Sequence, residues 1–588
     1  MQRKFKVFIF ASILIFFLLI LRIFSLQIIK GDYYFRLSDN NRIRVLRLHA
    51  PRGLIHDRNG ELLVENEPSY TVSVLPFEFE PTQENILAVA RLVDMPPESI
   101  SAKVETRKVN DYTPIPIKRR VPLRLVHRLG EQSADFPGVV YEVEPMRLYP
   151  YNELACHIIG YTGEISAPEL REMYKLGRRA GDIVGKQGVE KIYDSKLRGR
   201  DGASYLEVRA NGEVIGPARD KQEIPPIAGA ELFLTIDLWT QAMAESVFAW
   251  VEKGVLIAMD PTTGEILASV SKPNFDLNIF SAPVSSGTWE KLSDRKTHPM
   301  FNRVTQGNYP PASTIKLVTG AIALQERIIN KHSFQEQPCT GSIWYGDREF
   351  FCWLRRGHGA LDFLDAMATS CDVYFYQLGM KIGLDTWTDY MRRCHFGEKT
   401  EIELAPEATG FIPTRNFYND RFGPRGWGRG VILNLCIGQG EILVTPLQMA
   451  IVVSAFANGG KLLKPKIVKR LVPPDGATVE FPTVVRDELP FDREVMEDVI
   501  EGMVRVVNSD IGTGKAAAVP GITVAGKTGT AQNPTGENHA WFVGFAPVDD
   551  PKIVVVVLLE HGGSGSLAAW VAGEFLRRYF LKGADGTL

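Results

Sequence analysis

Ser313 and Lys316, a serine and a lysine three residues apart, have the types and the spacing of an activated nucleophile. In the first turn of a helix this spacing places both side chains on one face. Residues 317–324 are almost entirely apolar, which predicts a buried helix behind the pair. A serine hydroxyl becomes a good nucleophile when a neighbouring base takes its proton, and a neutral, buried lysine is such a base. The pair therefore predicts nucleophilic catalysis by Ser313.

The same spacing occurs twice more, in the pair Ser269 and Lys272 and in the pair Ser293 and Lys296. The pattern alone is therefore weak, because chance supplies it in a chain of 588 residues. Ser313 differs from the other two serines in the apolar helix behind it and in two further motifs downstream.

The downstream motifs are a Ser-Cys-Asp triplet, which runs from Ser370 to Asp372, and the chain's only Lys-Thr-Gly, which begins at Lys527. Ser-x-x-Lys, Ser-x-Asn and Lys-Thr-Gly, in this order, are the signature of penicillin-recognising serine acyltransferases. The chain resembles the penicillin-binding proteins. Asp372 departs from their usual asparagine: a carboxylate can accept a hydrogen bond from Lys316 but cannot donate one to a substrate. The role of this position therefore stays open.

The resemblance implies a D,D-transpeptidase with a serine acyl-enzyme. Ser313 would attack the carbonyl of the penultimate D-Ala of a peptidoglycan stem peptide, with Lys316 as general base and Ser370 as proton relay to the leaving amine. An amine of a second stem peptide would then resolve the acyl-enzyme into a cross-link, whereas water would make the protein a carboxypeptidase. β-Lactams would mimic the substrate and stall at the acyl stage.

The Lys-Thr-Gly motif implies the remaining contacts of the substrate. Lys527 would add a positive charge beside the catalytic lysine and, with the hydroxyls of Thr528 and Thr530, would hold the substrate carboxylate. Gly529 lies between these threonines. The backbone N–H groups of Ser313 and Thr530 would form the oxyanion hole, in which each donor contributes roughly 10²–10³ in rate.

Three of the six cysteines cluster with a histidine at Cys339, Cys352, His358 and Cys371. Three thiolates and one imidazole are a ligand set of structural zinc. The spacing also allows a Cys339–Cys352 disulfide in an oxidising compartment, or unpaired buried thiols. A metal here would brace the loop that carries Ser370, since Cys371 follows it directly. The other three cysteines are predicted to be core residues: Cys156, Cys394 and Cys436.

Residues 7–29 are mostly apolar, carry a single charged side chain at Arg22, and follow a basic N-terminus. A spanning helix needs roughly 20 mostly apolar residues, and basic flanks stay in the cytoplasm. A cleaved signal peptide is the alternative, but no small-x-small cleavage site follows. The sequence therefore predicts a cytoplasmic segment 1–6, a single-pass inner-membrane anchor 7–29, and a periplasmic remainder.

Residues 50–63 and 185–199 resemble the two boxes of the non-catalytic module of class B penicillin-binding proteins, in the versions of the elongation-class penicillin-binding protein 2. The resemblance implies a β-rich, elongated pedestal over 30–226. We interpret Arg52, Asp57 and Arg58 as structural ion pairs that stabilise a hairpin at Asn59-Gly60, and residues 223–229 as a linker.

Residues 227–588 are predicted to form the transpeptidase domain, an antiparallel sheet flanked by helices, so that the whole chain is an α+β protein. Residues 438–440 are interpreted as packing, and residues 560–563 as a candidate lining of the cleft. The predicted strands are 232–237, 254–259, 265–271 and 553–560, and the predicted helices are 239–251 and 567–581.

The function predicted from these features is peptidoglycan cross-linking during cell elongation. A net charge of −2 gives no reason to expect nucleic acid as a partner. The expected partners are stem peptides, β-lactams, the membrane, elongation-complex scaffold proteins and a separate glycosyltransferase of the SEDS type, because the N-terminal module lacks a carboxylate-rich helical bundle. The alternatives are a β-lactamase, a β-lactam sensor and a catalytically silent scaffold.

Overall fold

The N-terminal helix stands apart from the rest of the fold. The structure is a computed structural model that describes residues 2–34, 43–107, 114–208, 214–218, 221–281 and 284–581. The helix runs over Gln2–Phe24 and continues as a π-helical turn over Ser25–Ile29, and nearly all of its apolar side chains are exposed. Within the described residues it is the one helix long and apolar enough to cross a membrane. The predicted anchor, 7–29, lies inside it.

A five-stranded antiparallel sheet forms the centre of the C-terminal part. In order across the sheet, its strands are Ile266–Lys272, Gly254–Met259, Ile553–Leu559, His539–Ala546 and Ala525–Ala531. The middle strand is apolar at every position because both faces of the sheet are covered. Val554 and Val556 belong to the core on one face, and Val555 and Val557 to the core on the other.

Helices cover the two faces of this sheet. Leu238–Val247 and Gly565–Leu581 pack on one face. Pro446–Ala457 packs on the other face, in the same core as Lys316–Gln325 and Asp372–Ile382. The helix that follows Ser313 is therefore buried, as predicted from its apolar sequence.

The remaining elements of the C-terminal part are short or peripheral. Ser342–Tyr345 and Arg348–Phe351 form a small hairpin, and Lys461–Leu463 pairs with Val485–Glu488 in a second two-stranded sheet. The other α-helices are Ser286–Leu292, Arg303–Gln306, Phe363–Ala368, Leu384–Arg393, Arg415–Phe422, Val431–Leu435 and Arg493–Asn508. The 3-10 turns are Leu277–Ser281, Ala312–Ile315 and Lys515–Ala517.

The N-terminal part is built on a seven-stranded sheet that is shared with the C-terminal part. Its path runs through Val479–Glu480, Val468–Val472, Glu231–Leu234, Ile55–His56, Leu62–Val74 and Ile115–Val121, and Val139–Leu148 also pairs with Leu62–Val74. A three-stranded sheet consists of Ile43–Leu48, Gly202–Val208 and Val214–Pro217, and Thr162–Glu164 pairs with Ile183–Gly185. The helices are Gln83–Val93, Pro97–Arg107, Leu123–Glu131, Cys156–Ile159, Ala167–Met173, Gly188–Ile192 and Asp194–Leu197, and the 3-10 turns are Ser133–Asp135 and Tyr174–Leu176.

Most elements predicted from the sequence are present with small shifts at their ends. The predicted helix 239–251 ends instead at Val247, because Phe248 turns into the core and the chain enters the next strand at Gly254. The segment 223–229 is not an unpaired linker, since Ile224 and Ile227 form β-bridges with the N-terminal part.

The two boxes of the N-terminal part contact each other through buried ions. Arg52 donates to Glu190 at 2.6 Å and to Asp194 at 2.7 Å. Arg58 pairs with Glu265 of the C-terminal part at 3.0 Å. The interpretation of Asp57 as an ion-pair partner is wrong: its carboxylate accepts backbone N–H groups at the hairpin turn and at the start of the helix Leu238–Val247.

Candidate active site

Ser313 lies in the 3-10 turn Ala312–Ile315, and Lys316 begins the helix that follows. The sequence had predicted the first turn of an α-helix for both residues, but Ser313 lies in a 3-10 turn. Ala312 has a φ of +50°, and its N–H donates to the carbonyl of Gly438 at 2.9 Å, outside any helix. Ser313 is partly exposed, whereas Lys316 is fully buried. The hydroxyl thus lies at the surface of the cleft and the amine beneath it.

Residues 438–440 support this turn from below, in agreement with the packing interpretation. Gly438 has a φ of +74°, and a Cβ there would lie 2.1 Å from the carbonyl oxygen of Ala312. Only glycine fits at this approach. The next residue, Gln439, donates to the carbonyl of Thr530 at 3.1 Å, so the same segment links the nucleophile turn to the Lys-Thr-Gly strand.

The Ser370–Asp372 loop joins two helices of the core and meets Lys316. Lys316 Nζ donates to the Ser370 carbonyl at 2.9 Å and to Asp372 Oδ1 at 2.7 Å, and it lies 3.4 Å from Ser370 Oγ. Ser370 has a φ of +55°, which turns its carbonyl toward the amine. The second oxygen of Asp372 accepts the backbone N–H of Trp353 at 3.0 Å. Asp372 therefore only accepts hydrogen bonds here.

The third motif lies on the edge strand Ala525–Ala531 of the central sheet. Lys527 is fully buried and donates to Ser370 Oγ at 2.8 Å. A Cβ at Gly529 would lie 3.2 Å from Ala312 Cβ, so glycine allows the strand to pack closely on the nucleophile turn. The Ser370 hydroxyl is consequently shared by two lysine amines, Lys316 and Lys527.

Burial dominates the electrostatics of Lys527. It lowers the pKa of this amine well below its usual value, and the neighbouring positive charge of Lys316 lowers it further. The Asp372 carboxylate raises the pKa of Lys527 but does not offset burial. Two buried amines therefore lie near one carboxylate, which Lys316 contacts directly at 2.7 Å.

The motif residues open into a cleft of about 540 Å³. Its lining includes Ser313, Ser370, Asp372, Thr528, Gly529 and Thr530. The expectation that residues 560–563 line it holds only for Gly563. Glu560 instead accepts hydrogen bonds from Arg303 and Tyr309, each at 2.7 Å, because these buried groups need an acceptor.

Several lining residues carried no recognisable motif. Thr513 shares a 2.8 Å hydroxyl contact with Thr528, and Trp353 fixes Asp372. The hairpin Ser342–Tyr345/Arg348–Phe351 forms one wall of the cleft. Only the Gly-Gln-Gly box around Gln439 gave a signal in the sequence, and it was interpreted as packing alone.

The three cysteines and the histidine converge behind this wall. The ligand atoms of Cys339, Cys352, His358 and Cys371 all lie within 4.8 Å of one another. His358 Nδ1 lies 3.6 Å from Cys339 Sγ and 3.5 Å from Cys352 Sγ. Tetrahedral zinc bonds of roughly 2.1 to 2.3 Å place ligands about 3.6 Å apart, so the donor set and its dimensions fit zinc.

All six cysteines of the chain are free and buried. The Cys339–Cys352 disulfide is thus not formed. Hydrogen bonding with Cys371, and with His358, lowers the pKa of the Cys339 and Cys352 thiols, so that both favour the thiolate form. Burial raises the pKa of the Cys156, Cys394 and Cys436 thiols, which behave as the predicted core residues.

Comparison with known proteins shows the family. The penicillin-binding protein transpeptidase domain matches residues 254–577, and the penicillin-binding protein dimerisation domain matches residues 47–234. The chain belongs to the penicillin-binding proteins. The resemblance drawn from the motifs is thereby confirmed, as is the α+β architecture with an N-terminal apolar helix, a pedestal and an antiparallel transpeptidase sheet.

Full-length relatives support the same assignment. The chain is 33% identical to the peptidoglycan D,D-transpeptidase MrdA of Haemophilus influenzae, over 95% of this chain and 88% of that one. It is 28% identical to penicillin-binding protein 2 of Helicobacter pylori, solved in complex with MreC, with a TM-score of 0.79 over 92% and 99% of the two chains. A further match is a chain in a solved structure of a peptidoglycan synthase complex, described as showing structural coordination of polymerization and crosslinking. The two chains are 28% identical, with a TM-score of 0.70 over 100% of this chain and 99% of that one.

Proposed function

We propose that this penicillin-binding protein is a peptidoglycan D,D-transpeptidase that cross-links stem peptides during cell elongation through an acyl-enzyme at Ser313. The observation that carries the proposal is the convergence of Lys316 and Lys527 on one hydroxyl, that of Ser370, beside a partly exposed serine in a cleft. The Haemophilus influenzae relative, which the chain matches along nearly its whole length, is named for this activity.

Each proton of the acylation step has an acceptor in this arrangement. Ser313 Oγ forms the ester bond to the D-Ala carbonyl carbon and gives its proton to Lys316 as the base. The resulting ammonium is stabilised by Asp372, 2.7 Å away. As the peptide bond breaks, the proton reaches the leaving D-Ala amine by way of Ser370 Oγ, 3.4 Å from Lys316. In the second half-reaction, the amine of an acceptor peptide attacks the ester carbonyl and gives up a proton along the same path. The new amide forms as the ester bond breaks, and the proton returns to Ser313 Oγ.

The Lys-Thr-Gly strand holds the substrate in this proposal. Thr528 and Thr530 line the cleft and bind the terminal carboxylate with their hydroxyls, and Lys527 is buried beneath them and donates to Ser370 Oγ at 2.8 Å. The backbone N–H groups of Ser313 and Thr530 stabilise the developing oxyanion. Gly529 permits the close contact of the strand and the turn on which this geometry depends.

A cross-linking assay tests the function. The purified full-length chain is given a soluble stem peptide that ends in D-Ala-D-Ala and a second stem peptide with a free amine. We expect one D-Ala released per new donor–acceptor amide, identified by mass spectrometry, and no product with Ser313→Ala. Release of D-Ala without the amide would indicate a carboxypeptidase, and hydrolysis of penicillin without D-Ala release would indicate a β-lactamase. Either result would contradict the proposal.

The same proposal assigns a location and partners. The chain is anchored in the inner membrane by its apolar N-terminal helix, with residues 1–6 in the cytoplasm and the catalytic part in the periplasm. Scaffold proteins of the elongation complex and a SEDS-type glycosyltransferase are its partners. The Helicobacter pylori complex with MreC and the peptidoglycan synthase complex support partners of these two kinds.

We also propose that Cys339, Cys352, His358 and Cys371 bind a structural zinc ion. The support is the ligand spacing and the three buried sulfurs around His358 Nδ1. Bound zinc would neutralise the thiolates and fix both ends of the cleft wall. It would also fix the loop between Ser370 and Asp372, of which Cys371 is the middle residue.

Metal analysis of the purified chain tests the zinc site. We expect one zinc per chain in the wild type, none in Cys352→Ser, and one in Cys394→Ser, a matched change at a buried cysteine outside the cluster. A Cys339–Cys352 disulfide in the mass spectrum of the intact protein would overturn the proposal. A wild-type protein in which the three thiols and the imidazole are free and no metal is bound would also overturn the proposal.

A further inference from the structure

Two arginines line the cleft and have no partner of opposite charge among the residues that the structure describes. Arg348 and Arg355 both belong to the wall of the cleft opposite the Lys-Thr-Gly strand. Within the residues that the structure describes, neither guanidinium forms an ion pair with a carboxylate. Of the two acidic side chains in the lining, Asp372 is paired with Lys316 and Glu349 accepts the Ser342 hydroxyl.

Aromatic rings hold both guanidiniums in place. Arg355 Cζ lies 3.9 Å from the centroid of the Phe351 ring, and Arg348 Cζ lies 4.9 Å from that of Phe350. Stacking of this kind orients the planar fork and leaves its N–H donors free. Less conformational entropy is then lost when an anion binds.

The backbone under these arginines is rigidly connected to the catalytic loop. Phe350 packs on Tyr376, whose hydroxyl donates to the Phe351 carbonyl at 3.1 Å. The carbonyl of Arg355 contacts Gly341, where a Cβ would lie 2.0 Å from it. Trp353, two residues before Arg355, donates to Asp372. The backbone that carries the two arginines is therefore held against the catalytic loop, while both side chains are exposed to the cleft.

We infer that Arg348 and Arg355 form a carboxylate-binding subsite that selects stem peptides by an internal carboxylate, separate from the C-terminal carboxylate at the Lys-Thr-Gly strand. Guanidinium pairs bind carboxylates through charge-assisted, forked hydrogen bonds. Peptidoglycan stem peptides carry such internal carboxylates, whereas the core of a β-lactam copies only the D-Ala-D-Ala end. The inference rests on the proposed function and specifies how its substrate is recognised.

The test compares stem peptides with and without the internal carboxylate. The full-length chain is acylated by a soluble donor that ends in a D-Ala thioester, and thiol release reports the rate. The donor is used as the free acid and with its internal carboxylate amidated, and the labelling rate of a fluorescent penicillin serves as reference. If the donor occupies the subsite, we expect amidation to lower kcat/KM about tenfold in the wild type.

The variants separate charge from structure. In Arg355→Gln, the acylation rate with the free-acid donor, divided by the penicillin-labelling rate, falls about tenfold. Amidation of the donor then has no further effect on this variant. Arg355→Lys restores part of the lost rate, because it keeps the charge without the forked donor. Arg356→Gln is the matched control, because this neighbouring arginine is exposed like Arg355 but does not line the cleft. It retains the wild-type preference for the free acid.

A second arm distinguishes the two substrates. Acceptor peptides with a free or amidated internal carboxylate compete with water for the acyl-enzyme, and dependence of cross-linking on the acceptor carboxylate would assign the subsite to the acceptor. If neither donor nor acceptor shows a preference in a wild-type protein that penicillin labels, the inference is overturned. If penicillin does not label the protein, the proposed function itself fails.

Discussion

Two of the buried charge clusters in this molecule, one in the pedestal and one in the active site, differ in the kind of cation. In the pedestal, Arg52 and Arg147 converge on Glu190, which is fully buried, and Arg52 also binds Asp194. Arg147 donates in addition to the Gly53 carbonyl at 2.7 Å. Each nitrogen of these two guanidiniums has an acceptor, and Arg178 also binds Asp194, so three arginines share the two carboxylates.

The active site uses lysines in place of arginines. Lys316 and Lys527 are both fully buried, but the cluster contains a single carboxylate, that of Asp372. The pKa of Lys527 is lowered by burial and by the charge of Lys316. An arginine stays charged in proteins, whereas a buried lysine can lose its proton. The first network stabilises the fold, and the second can move protons.

The largest expected effect comes from making the active site resemble the pedestal. Lys316→Arg keeps a positive charge beside Asp372 but removes the group that can accept a proton. We expect acylation by penicillin to fall about 10²- to 10⁴-fold, measured by stopped-flow labelling. Lys331→Arg, a change of the same type at a partly exposed lysine, is the control. Acylation of Lys316→Arg at the wild-type rate, in a folded protein, would rule out Lys316 as the base.

Removing an arginine from the pedestal is expected to affect stability and not chemistry. Arg147→Met leaves Glu190 with one buried partner instead of two, at a cost of about 3–5 kcal/mol in the free energy of unfolding. Urea titration of the purified chain measures it. Arg171→Met, at an exposed arginine, should change this free energy by less than about 0.5 kcal/mol. A stability loss of Arg147→Met no larger than that of the control would show that the pedestal network is not structural.

The smallest effect concerns the pH dependence of stability. The folded-state pKa of Lys527 lies below its unfolded value of about 10.4. Between these two values the unfolded chain binds more protons, so wild-type stability rises with pH by about 1.4 kcal/mol per unit relative to Lys527→Met. Below both values the difference is constant. Unfolding of both proteins across this range measures the slope, and a flat difference would mean that Lys527 stays charged when folded.

The motif residues that the fold brings together could be recognised in the sequence because each motif is local. Ser313 and Lys316 lie one turn apart, and Lys-Thr-Gly fits an edge strand. The strands of the central sheet were also predictable, because Gly254–Met259 and Ile553–Leu559 are apolar on both faces.

What the sequence did not predict depends on contacts between distant segments. The left-handed conformation of Ser370 and the hydrogen bond from Trp353 to Asp372 arise only when the hairpin packs on the catalytic loop. The pairing of Glu231–Leu234 with strands of both parts likewise cannot be recognised in a local pattern. Arg348 and Arg355 are ordinary surface residues in the sequence and become cleft residues only through the fold.

The central claim is that Ser313 is the nucleophile of a lysine-activated site. Labelling with a fluorescent penicillin, followed by mass mapping of the adduct peptide, tests it most directly, with Ser293→Ala as control because Ser293 has the same spacing to a lysine on an exposed surface. We expect one stable adduct on the peptide that contains Ser313, in the wild type and in Ser293→Ala, and none in Ser313→Ala. An adduct that persists in Ser313→Ala, or no adduct in the wild type, would contradict this mechanism.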